Sequence, residues 1–199
     1  MLASINPLGE RARNTRWGRT VAWYLAGSTA GGLAIGAVAG GLGAALRAVT
    51  SPSSTVLGGL AVAVGAVGLA LDLHVGGLTP PTVHRQVNQD WLARYRGWVY
   101  GGGFGFQLGL GVVTVVTTST IYVALALGLL AGSLTSGLAI GGVFGLVRAL
   151  PILAVGHVED PAQLRDMVGR VQGWSRAASL AVLVCLTLVV TSSALLLVF

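Results

Sequence analysis

Residues 97–147 read GWVYGGGFGFQLGLGVVTVVTTSTIYVALALGLLAGSLTSGLAIGGVFGLV, a stretch of 51 residues between Arg96 and Arg148 without one charged side chain. A charge at the centre of a bilayer costs at least ~2.5–3.5 kcal/mol on insertion scales, so membrane segments are purged of them. Further charge-free runs lie at 20–46, 48–71 and 177–199. About 20 apolar residues in a helix cross a ~30 Å hydrocarbon core. The pattern predicts an all-α, polytopic membrane helical bundle.

Composition agrees. Charged residues make up 9% of the chain and hydrophobic ones 54%, against a soluble norm of about 25% charged. The basic residues are all arginine, and they flank apolar runs instead of forming a separate basic domain, which argues against nucleic acid as a partner. The bilayer is the expected partner. Cys185 is the single cysteine, too few for a disulfide framework, a metal site or a CxxC redox pair. No P-loop, HExxH, catalytic triad or spaced carboxylate pair is present, so no enzyme activity, metal or cofactor is expected.

Apolar segments are expected at 21–46, 56–77, 98–132, 137–156 and 177–199, behind a basic N-terminal segment 1–20; residues 21–199 form one transmembrane domain. The third segment is too long for one straight span, and its middle carries Thr117-Thr118-Ser119-Thr120, so a break is expected there. Arginine placement selects five crossings. With the N-terminus cytoplasmic and the C-terminus extracytoplasmic, ten arginines lie inside, Arg47 lies outside and Arg148 lies within a helix. Trp17, Trp23, Trp91, Trp98 and Trp174 then all fall near the cytoplasmic ends. The polar connections 82–96 and 161–176 have helical apolar spacing and read as short interfacial helices, able to dock a membrane or cytoplasmic protein partner; Asp160 caps the second and Pro161 suits its first turn.

Glycines recur in fours, and Gly32-Leu-Ala-Ile-Gly-Ala-Val-Ala-Gly40 returns as Gly137-Leu-Ala-Ile-Gly-Gly-Val-Phe-Gly145. Small residues at this spacing let helix backbones approach closely in lipid. Placed on helices of opposite direction, the echo suggests an inverted-topology repeat; the other reading is chance recurrence in a chain rich in Gly, Ala, Val and Leu.

The Asn6-Pro7-Leu8-Gly9-Glu10-Arg11 opening, the Arg16-Trp17 pair, Arg96-Gly97-Trp98 before a broken glycine-rich helix, and the Gly145–Pro151 string together resemble the DsbD/CcdA cytochrome c biogenesis superfamily, with the sulfite-exporter-like group as neighbour. The resemblance implies a 3+3 inverted repeat whose first helix is missing here, and hence a further apolar segment upstream of Met1. It also implies that Thr118, Ser119 and Thr120 stand where redox members carry a cysteine, so dithiol exchange is lost.

Polar residues inside the apolar segments are candidate sites. Gln107, Thr114, Thr117, Thr118, Ser119, Thr120, Tyr122 and Arg148 are the expected substrate-pathway residues, around a cavity at the break that moves a small solute or anion. Hydroxyls there can equally bond back to their own helix and only kink it. Arg148 is expected to pair with Asp72. The other reading is a non-transporting accessory or assembly subunit related to cytochrome c or thiol-redox maturation, placed in a bacterial inner membrane.

Overall fold

The structure is a computed structural model that describes residues 5–77, 95–111, 119–157, 160, 162–163, 166, 169, 180–181, 184, 187–188 and 191. These are helical or irregular, with no strand among them. The helices are α1 (Pro7–Ala12), α2 (Trp17–Thr50), α3 (Ser54–Asp72), α4 (Gly97–Leu110), α5 (Thr120–Ala131) and α6 (Leu134–Ala149), with 3-10 stretches at Val75–Gly77 and Leu150–His157.

Local chemistry sets the boundaries. The Asn6 side chain caps α1 by accepting from the Gly9 N–H at 2.8 Å, and Pro7 occupies the first turn, where its missing donor costs nothing. Ser53 caps α3, and Ser51 before it takes a left-handed conformation that ends α2. Asp160 accepts from the N–H groups of Ala162 and Gln163, each at 2.8 Å, so the expected cap forms.

Three stretches are long and apolar enough to cross a membrane: Trp17–Thr50, Ser54–Asp72 and Leu134–Ala154. Outward-facing side chains along them include Val38, Leu42, Val67, Val143 and Val147, each more than half exposed. A continuous apolar exterior of this kind suits lipid and not water. The described residues of the expected segment 98–132 form two shorter helices, each about 18–21 Å long and too short to cross alone. Segment 177–199 lies mostly outside the described residues; Leu180, Val184 and Leu188 within it are helical and exposed.

α2 is the spine of the bundle. α4 and then α5 run along it in its own direction: Gly101 meets Thr20, Gly105 meets Tyr24, Gly109 meets Ser28, and farther on Gly128 meets Ala39. α6 runs the opposite way on another side of α2. Here the two echoed strings face each other. A Cβ on Gly141 would strike the Gly32 carbonyl, one on Gly32 would strike the Gly141 carbonyl, and Gly36 and Gly137 repeat the exchange. The contact is reciprocal, as a local two-fold axis requires. Only glycine permits it.

Candidate functional site

The break between α4 and α5 opens at Gly111, whose φ of +73° ends α4. α5 then starts with its first N–H groups lacking partners in their own helix. Ser119 supplies the joint. Its N–H donates to Asp72 Oδ1 at 2.6 Å, and its hydroxyl donates to the Gly68 carbonyl at 2.9 Å, so the end of α3 is stitched to the start of α5. Ser119 is fully buried. A carboxylate facing a helix N-terminus is favourable on both hydrogen-bond and dipole grounds. Asp72 Oδ2 and Thr120 Oγ1 are buried without a hydrogen-bond partner among the described residues.

Of the other residues expected at a pathway, Thr114, Thr117 and Thr118 lie outside the described residues, and Gln107 and Tyr122 are half-buried on α4 and α5. Just beyond the break is a cavity of about 10 Å³, lined by apolar groups that include Ile35, Ala39, Ile121, Leu125, Ile140 and Phe144. That is room for about one water, in walls that offer it no partner.

The expected Asp72–Arg148 pair does not form. Asp72 faces Ser119, while the Arg148 guanidinium lies 5.6 Å from the centroid of the Phe144 ring. The reason is topological. α5 packs against both α3 and α6, whereas α3 has no substantial packing against α6. Equal depth in a bundle does not make two residues neighbours.

Sequence reading missed Glu10, whose carboxylate accepts from four side chains among the described residues. It stands in a segment that reads as a solvated basic tail, yet it is completely buried. Its Oε1 accepts from Arg13 Nη2 at 2.8 Å and from the Tyr100 hydroxyl; its Oε2 accepts from Thr15 at 2.6 Å and Thr20 at 2.7 Å. The Arg13 guanidinium also sits over the Tyr100 ring, 5.5 Å from its centroid. Burial pushes the Glu10 carboxyl up, but the four donors from Thr15, Tyr100, Thr20 and Arg13 outweigh it and hold it below its ordinary value of 4.5. Around the cluster pack Ile5, Val21, Tyr24, Phe104, Ala149 and Ile152, so α1 folds back as a plug between α2, α4 and the end of α6. The one available signal was a lone acid among four arginines, with Thr15 and Thr20 at its flank.

No family model and no solved structure matches the chain. Curated relatives do. The chain is 31% identical over 186 residues to the methylamine utilization protein MauF of Paracoccus versutus, covering 92% of this chain and 66% of that protein. It is 34% identical over 161 residues to MauF of Paracoccus denitrificans, covering 79% and 54%. For MauF of Methylophilus methylotrophus the figures are 30% over 156 residues, 76% and 53%. The chain thus spans about half to two thirds of the length of these relatives. They overturn two expectations. The DsbD/CcdA resemblance rested on glycine-rich composition and short strings, which many helical membrane proteins share, and the relatives bear another name. The solute-moving reading falls with it, because a methylamine utilization protein fits the accessory alternative and not a transporter. By sequence, the proteins this chain is akin to are the MauF proteins.

Proposed function

We propose that this chain is a membrane-embedded accessory protein of methylamine utilization, neither a transporter nor an enzyme, that acts by holding a protein partner. The observation that carries the reading is the similarity to MauF over 92% of the chain. The small apolar cavity and the glycine seam support it, since they suit a rigid scaffold better than a solute path. In this reading residues 21–199 form one domain behind a basic segment 1–20. Five crossings put the N-terminus in the cytoplasm and the C-terminus outside the bacterial inner membrane, as the ten-to-one arginine split favours. In this reading Ser119 stitches α3 to the start of α5, and Gln107, Thr114, Thr117, Thr118, Thr120 and Tyr122 carry no solute. The partner docks on the polar connections 82–96 and 161–176, which lie largely outside the described residues.

The test is complementation. A Paracoccus denitrificans strain lacking MauF is supplied with a chimera in which this chain replaces the matching segment of MauF. Growth on methylamine is expected to return. Failure to grow, with the chimera present in the membrane fraction, overturns the proposal.

A further inference from the structure

One exposed face of α2 changes chemistry in steps. Arg16, Arg19 and Trp23 follow one another at i, i+3 and i+7, and Ala26, Ala30 and Leu33 continue the face inward, all exposed. Trp23 meets Trp98 of α4, with ring centroids 5.9 Å apart and planes tilted by 51°, and both rings are 46% exposed. Arg96, also exposed, precedes α4 directly, and Phe106 extends the α4 side. Between these two walls the helices touch backbone to backbone at Gly27 and Gly102, which makes a shallow seam.

Charge here is uncompensated among the described residues. Arg13 is engaged by Glu10, but Arg16, Arg19 and Arg96 form no ion pair among the described residues. The distance from Arg16 to Trp23 along the helix is about 10 Å. Cations, then amphipathic rings, then aliphatic surface over that depth match a phospholipid's phosphate, glycerol region and acyl chain. A protein ligand with acidic groups would suit the arginines but would have no use for the aliphatic continuation.

We propose that the α2–α4 seam, headed by Arg16, Arg19 and Arg96 and walled by Trp23 and Trp98, is a binding site for an anionic phospholipid. It selects phosphatidylglycerol-type headgroups over zwitterionic ones. The inference rests on membrane embedding, and not on any role in methylamine utilization.

The full chain is reconstituted in phosphatidylcholine nanodiscs that carry a few mole per cent of brominated lipid, and tryptophan quenching is read. Brominated phosphatidylglycerol should quench at about one fifth or less of the concentration that brominated phosphatidylcholine needs, since one arginine near an anionic headgroup contributes about fivefold. Raising salt should narrow the gap. The Arg16→Gln, Arg19→Gln, Arg96→Gln triple variant should lose the preference yet remain quenched by brominated phosphatidylcholine, which shows that it is still embedded. Equal quenching by the two lipids in the unmodified protein overturns the proposal, as does a preference that survives in the triple variant. A third overturning result is a tryptophan response to polyglutamate together with no lipid preference, which would make the face a protein site. Quenching by neither lipid would remove the membrane reading itself.

Discussion

The Ser28 hydroxyl of α2 donates to the Gly145 carbonyl of α6 at 2.6 Å, across 117 residues of sequence and in complete burial. Gly109 of α4 presses on the Ser28 carbonyl from another side, so three helices converge on this one residue. Ser28→Ala keeps the fit and loses one bond, costing about 1 kcal/mol. Ser28→Val adds a branch where there is no room and should cost about 1–3 kcal/mol more. Thermal unfolding in detergent, followed by circular dichroism, should rank wild type above alanine and alanine above valine.

A second comparison uses two glycines of opposite surroundings. Gly141→Ala drives a Cβ into the Gly32 backbone, while a Cβ on Gly41 meets nothing within 4 Å. The first substitution should lower the melting temperature sharply, by the equivalent of about 1–3 kcal/mol. The second should be neutral or stabilising by up to about 1 kcal/mol, because alanine is the better helix former. Equal effects at both positions would refute the seam.

The Glu10 cluster sets a pH dependence. Its carboxyl lies below 4.5 when folded and at its ordinary value when unfolded. The stabilisation from ionisation is therefore complete above that ordinary value and is lost as pH falls through the folded value. Melting temperature should fall less steeply below about pH 4.5 in Glu10→Gln than in wild type. Glu10→Ala removes the carboxylate that Arg13, Thr15, Thr20 and Tyr100 share and should cost about 3–5 kcal/mol at pH 7.

Asp72 and Arg148 should behave as strangers. In a double-mutant cycle of Asp72→Asn and Arg148→Gln, the two stability changes should add to within about 0.5 kcal/mol. Asp72→Leu should be worse than Asp72→Asn, since asparagine still offers the Ser119 N–H an acceptor. A coupling of 2 kcal/mol or more would restore the ion pair.

What the chain discloses by itself follows from the range of the interaction concerned. The apolar runs, the Asp160 cap and the need for a break within 98–132 depend on residues a few positions apart, so they are legible in order of sequence; the place where α4 ends was not, since the hydroxyls at 117–120 drew the eye and Gly111 ends the helix. The echo was visible too, because its two copies carry the same glycines that later meet. The Glu10 cluster was hidden: Tyr100 is 90 residues away, and nothing local distinguishes an acid buried among hydroxyls from one in water. The Asp72–Arg148 error has the same root. Periodicity gives depth in the bundle, but the angular order of helices around α2 decides which side chains touch.

The seam between Gly32–Gly40 and Gly137–Gly145 is made from main-chain atoms, which every amino acid possesses and none can alter. A leucine lost from an ordinary core can be offset by a larger neighbour; a glycine lost here has no neighbouring side chain able to shrink in exchange. Natural variation in this scaffold should therefore accumulate on its lipid-facing and polar surfaces, while those two nonapeptides change together or hardly at all.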